Sequence, residues 1–135
     1  GWPVWARVVD AQVAAADYTT GKEDLLLAPT RAIPKLLERN GLTLADFDFL
    51  EIHEAFASTV LATIKALEAN GVGAVDRSKL NVKGSSLAAG HPFAATGGRI
   101  VASLAKMLHE RGPGSRGLVS ICAAGGQGVV AILEA

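Results

Sequence analysis

The chain has 135 residues, of which half are apolar, with 13 basic side chains against 13 acidic ones. That is enough for one domain with a packed core and too little for two, and the balanced charge offers no basic excess for nucleic acid and no acidic tail. The one cysteine, Cys122, excludes an internal disulfide, and no apolar run is long enough to span a bilayer.

The first residues, "GWPVWARVVDAQVAAA", begin without methionine and lack the charged and apolar regions of a signal peptide, an opening that fits a piece of something longer. Residues 4–15 are rich in β-branched side chains and predict a first strand. "APTRAIPKLLERNG" predicts a helix from near Thr30, with Pro34 in its first turn and Asn40-Gly41 as its stop. "FDFLEI" (47–52) predicts a second strand. From Glu54 the period becomes helical, with Phe56, Val60, Ile64 and Leu67 on one face, until Asn70-Gly71.

"KLNVKG" (79–84) is a third strand candidate, and a glycine-rich loop follows it. Pro92 suits the first turn of a helix that runs through Ile100, Leu104 and Leu108 to Gly112. "GLVSICAA" and "VVAILEA" are the last two strands, joined by "GGQG". The resulting order, β-α-β-α-β-α-β-β, predicts a single α/β domain over 1–135. Its sheet is five-stranded, mixed but mostly parallel, with helices on both faces. This layout puts His53, His91 and Cys122 at the carboxyl ends of strands two, three and four, the edge where open α/β sheets place their sites.

Each motif has a plainer reading. "EIHEAF" (51–56) is not a zinc-protease H-E-x-x-H, because Ala57 stands where the second histidine belongs. His53 read alone simply ends a strand, with Glu54 favouring the following helix by its charge. "GHPFAATGGR" (90–99) lacks the G-K-[ST] of a phosphate loop. A histidine beside a helix N-terminus stays neutral, with one nitrogen to donate and one to accept; the alternative is a structural histidine in a turn. "CAAGGQG" (122–128) precedes the final strand and so fails as a dinucleotide fingerprint. Cys122 alone reads as a small buried apolar residue, although its small neighbours leave backbone N–H groups free for an anion. His53, His91 and Cys122 are ligand types for zinc, but no two of them are close in sequence. His109 reads as a surface residue complementing the end of its helix.

"HEAF" (53–56), "GHP" (90–92) and "CAA" (122–124), in this order and at these distances, resemble the C-terminal domain of the thiolase family. The resemblance runs from "WPVWARVVDAQVA" to the last residue. Histidine in place of the usual asparagine, together with "GSSLAAGHPFAATGGR", is similar to the β-subunits of fatty-acid-oxidation complexes. Membership implies a thiolase-like fold and thiolysis of a 3-ketoacyl-CoA by coenzyme A, or the reverse Claisen condensation. It implies catalytic roles for His91, Cys122 and His53: His91 activates the nucleophile and binds the thioester oxygen, Cys122 moves the proton, and His53 holds a water or donates directly. The Ala124 backbone N–H, where the common motif has glycine, is implied in a second oxyanion hole.

The resemblance further implies acyl-CoA and CoA as substrates, no permanently bound cofactor and no metal. Its partners are an N-terminal thiolase domain, a further copy of the chain and an α-subunit of a multienzyme complex. The implied location is the bacterial cytoplasm, or the mitochondrial matrix in a eukaryote. The family's nucleophilic cysteine and most of its CoA grip belong to the other half, so the chain alone is expected to be inactive. Cys122 and His91 are then expected on an open edge, with the thiol near its free pKa. Two rivals stay open: a non-catalytic acyl-CoA-binding or interaction domain, and a Cys-His hydrolase with Cys122 as nucleophile.

Overall fold

A computed structural model describes all 135 residues. Four strands, β1 (Arg7–Ala15), β2 (Phe49–Ile52), β3 (Arg116–Ala123) and β4 (Gln127–Glu134), form one mixed sheet in the order β1-β4-β3-β2. The helices are α1 (Pro29–Asn40), α2 (Ala57–Ala69), the single turn α3 (Ser86–Ala89) and α4 (Thr96–Arg111). The α/β class with helices on both faces is as expected, but the sheet has four strands rather than five. It is also not mostly parallel, since β2–β3 is the one parallel pair.

Both differences have local causes. β3 and β4 are joined by Ala124, Gly125 and Gly126, a connection that can only return antiparallel. Gly126 lies at φ +72°, where an added Cβ would sit 2.5 Å from the Ala16 carbonyl oxygen. The segment expected as a third strand makes a single parallel bridge, Leu80 to Leu50. Asn81 then turns to φ 46°, which asparagine tolerates. Its side-chain amide accepts from the Ile52 N–H at 2.9 Å and donates to the Ile52 carbonyl at 2.8 Å, replacing the next rung of the ladder. One polar side chain thus stands in for the rest of an edge strand.

The helices also start differently from the expectation. α1 begins at Pro29, which places Pro34 inside it rather than in its first turn; Gly41, left-handed at φ 63°, ends it as expected. α2 starts at Ala57 and α4 at Thr96, each a few residues beyond the sequence signal. α1 buries Ala32, Ile33, Leu36 and Leu37 on one sheet face, against Leu50, Leu118, Val130 and Ile132. α2 adds Leu67 to this core. On the opposite face Ile100, Leu104, Met107 and Leu108 of α4 pack on Val119 and Leu133. Each such Leu or Ile contributes about 1.5–3 kcal/mol relative to exposure.

α4 covers only part of its sheet face. Val8 and Val13 of β1 pair with Leu133 and Val129 of β4, so their side chains share the α4 side of the sheet. Val8, Val13 and Val129 are nevertheless exposed, as are Phe93 and Val101. Exposed apolar side chains in this number drive association. The chain on its own is therefore expected to self-associate, or to bind a dye that reports apolar surface. A clean monomer by sedimentation, with no dye binding, would contradict this.

Candidate active site

His53 immediately follows β2, and its N–H donates to the Ser120 carbonyl at 2.8 Å, extending the β2–β3 pairing by one residue. The side chain is 1% exposed. Its Nδ1 lies 2.9 Å from Ser86 Oγ, while the buried Nε2 has no partner. Burial, with the neighbouring charges of His91 and Arg99, holds the imidazole below its ordinary pKa. His53 is therefore neutral at pH 7.

His91 reaches the site by a different route from the one expected. It follows no strand; it lies in the loop between α3 and α4, exposed, with Nδ1 2.6 Å from Thr96 Oγ1. The Thr96 hydroxyl also lies 3.1 Å from the Pro92 carbonyl, which ties the histidine to the start of α4. The two imidazole centroids are 4.4 Å apart, tilted by 57°. Phe93, 86% exposed, meets the His91 ring edge-on at 5.3 Å.

Cys122 sits near the end of β3, as expected, but it is not solvated: the side chain is 7% exposed. Burial pushes its thiol above the ordinary value rather than leaving it at the free one. Ala124 follows in the β3–β4 turn, and its N–H donates to no backbone acceptor of the chain. His53, His91, Cys122 and Ala124 all line one cleft of about 490 Å³, walled by small and apolar residues such as Ala55 and Ile121. No group of three or more His, Cys, Asp and Glu side chains is placed to hold a metal ion. His109 lies elsewhere, exposed in the last turn of α4 and stacked on Trp5 at 5.7 Å.

Behind the cleft lies a polar layer that the sequence reading missed. Glu51, two residues before His53 and hence on the same side of β2, is 2% exposed. Burial pushes its carboxyl up to about 7; Arg99 opposes the shift and Glu54 adds to it. Arg99 Nη2 donates to Ser86 Oγ at 2.8 Å. Glu54, read from sequence as a helix-start charge, lies three residues before α2 and pins the 81–87 loop instead. Its carboxylate accepts from Asn81 Nδ2 and from the Leu87 N–H, both at 3.0 Å. The available signal was the alternation of Glu51 and His53 on a strand; Ser86 and Arg99 had none.

Chemically, the cleft offers a thiol and two imidazoles for proton transfer, and imidazole and backbone N–H groups for a developing oxyanion. A family model described as "Thiolase, C-terminal domain" matches residues 3–135. The chain belongs to the thiolase family. This thiolase domain is 47% identical, over 124 residues, to a 3-ketoacyl-CoA thiolase of Escherichia coli (strain 55989 / EAEC), an alignment that covers 84% of the chain and 28% of that relative. It superposes with a TM-score of 0.82 on human mitochondrial 3-ketoacyl-CoA thiolase in complex with CoA, at 36% identity, covering 97% of this chain and 30% of that one. The TM-score is also 0.82, at 36% identity, to the peroxisomal 3-ketoacyl-CoA thiolase of Saccharomyces cerevisiae, of which it covers 35% while 98% of this chain is matched. That yeast structure is described as five layers constructed from two core domains of identical topology. The chain thus spans about a third or less of each of these relatives. No helix is long and apolar enough to cross a membrane.

Proposed function

We propose that this chain supplies the acid/base and oxyanion half of a thiolase site that cleaves 3-ketoacyl-CoA with coenzyme A. The observation that carries the reading is the convergence of His53, His91, Cys122 and Ala124 on one cleft of a thiolase-family domain. In this reading a cysteine of an N-terminal thiolase domain is acylated, and His91 takes its proton and then donates to the thioester oxygen. Cys122 moves the proton at the substrate α-carbon or the CoA sulfur. His53 holds a water beside His91 or donates directly, and the Ala124 N–H serves a second oxyanion. CoA and acyl-CoA are substrates, so no resident cofactor is needed.

The exposed apolar side chains beside α4 mark the surface on which the N-terminal domain would rest. The two core domains described for the yeast relative support the presence of such a neighbour. A second copy of the enzyme, and an α-subunit of an oxidation complex, are the further partners we propose. The cytoplasm of a bacterium or the mitochondrial matrix is the compartment proposed.

The test is product identity. The enzyme in which this chain is completed by an N-terminal thiolase domain should convert acetoacetyl-CoA and CoA into two molecules of acetyl-CoA. Free acid released without consumption of CoA would favour the Cys-His hydrolase. Saturable CoA binding with no turnover, unaffected by His91→Ala, would favour a binding domain.

A further inference from the structure

We propose that Ser86 and Arg99 form a lock that holds His53 in a single tautomer, with the proton on Nε2. Ser86 Oγ lies between two nitrogens, 2.8 Å from Arg99 Nη2 and 2.9 Å from His53 Nδ1. A guanidinium can only donate, so Ser86 Oγ accepts from Arg99. The one hydroxyl hydrogen is then free, and the only other group within reach is His53 Nδ1. With Nδ1 accepting, the neutral ring must carry its proton on Nε2. The opposite tautomer would aim two donors at Ser86 and leave its own buried hydroxyl hydrogen without an acceptor.

The rest of the neighbourhood agrees. His53 Nε2 is buried and has no partner within the chain, so no second contact competes with Ser86 in setting the tautomer. The Arg99 charge, one hydroxyl away, opposes a second proton on the ring. The lock itself is held in place. Ser86 opens α3, and the next residue, Leu87, is tied by its N–H to Glu54, which follows His53 in the chain. Arg99 projects from the first turns of α4, whose start also carries the His91 contact through Thr96. Ser86 and Arg99 are positioning residues: they act through His53, at one remove from the cleft.

The catalytic consequence rests on the function proposed above. Of the two roles open to His53, a fixed Nε2–H supports direct donation to the thioester oxygen, with no rearrangement as charge develops. The tautomer is readable without any reaction. In the chain carrying ¹⁵N-labelled histidine, with the His53 signals assigned by their loss in His53→Asn, Nδ1 should appear pyridine-like and Nε2 pyrrole-like at neutral pH. Ser86→Ala should shift the Nδ1 signal towards that of a nitrogen with no donor, and Ser86→Thr should restore it. A pyrrole-like Nδ1 in the unaltered chain would overturn the proposal without recourse to any variant, as would a Nδ1 signal unmoved by Ser86→Ala. In the completed enzyme Ser86→Ala should lower kcat by about tenfold, the scale of one lost hydrogen bond, with KM little changed and Ser86→Thr active. If the tautomer is as stated but the enzyme performs no thiolysis, the reaction reading fails and the lock stands.

Discussion

Replacing His91 with alanine in the completed enzyme should lower thiolysis turnover by about two to three orders of magnitude, the cost of losing one oxyanion donor. The role proposed for His91 asks one ring to take a proton from the nucleophile and then face the thioester oxygen. Alanine has no side-chain nitrogen to do either. Position favours the assignment: the ring is exposed to the cleft, 4.4 Å from the His53 ring, and its tie to the fold is the contact between Nδ1 and Thr96. Because His91 lies in a loop and outside both hydrophobic clusters, the variant should melt like the parent. A loss of less than about tenfold in turnover, with the fold intact, would remove His91 from the chemistry.

Cys122→Ser, the second large effect, should lower turnover by about two to four orders of magnitude, the range for loss of a positioned acid/base. Serine keeps the shape but has a hydroxyl that does not ionise in the working range. The sign of the pH dependence follows from burial. The thiol is held above its ordinary pKa, so at neutral pH it rests protonated and the thiolate fraction grows as pH rises. Exchange of the α-protons of bound acyl-CoA with solvent deuterium, followed by NMR in the completed enzyme, should therefore rise with pH and level off above that raised pKa. In Cys122→Ser it should be slow and flat. Exchange in the serine variant within about tenfold of the parent would assign the proton shuttle to another group.

Most of the fold was legible because it rests on periodicity. The i, i+4, i+8 spacing of Ile100, Leu104 and Leu108 places them on the sheet, and Asn40-Gly41 ends α1 where a left-handed residue is needed. The pairing sense was harder to read, because parallel and antiparallel strands share one alternation; only the three-residue turn 124–126 revealed it. Residues 79–84 misled for a different reason. Their composition suits a strand, but after one bridge the Asn81 side chain takes over the backbone's hydrogen bonds. At the site, His53, His91, Cys122 and Ala124 were named from sequence and share one cleft. Glu51, Ser86, Thr96 and Arg99 were not, since their significance lies in contacts between residues up to 33 positions apart, such as Ser86 with His53. The burial of Cys122 agrees with its plainer reading as a small apolar residue and not with the solvated edge expected for a half-site; Leu26 lines the same cleft.

In the function proposed above, this chain carries half of a thiolase site and the nucleophile is supplied by an N-terminal domain. Its one cysteine is assigned the proton shuttle in that proposal, and the acylated thiolate must then come from elsewhere. The most direct measurement is 3-ketoacyl-CoA thiolysis by the 135-residue chain alone, and then with an N-terminal thiolase domain supplied as a separate polypeptide. No turnover is expected from the chain alone, and CoA-dependent turnover is expected once the two are combined, lost again with His91→Ala. Turnover by the chain alone, abolished by Cys122→Ser, would contradict that proposal and make Cys122 the nucleophile.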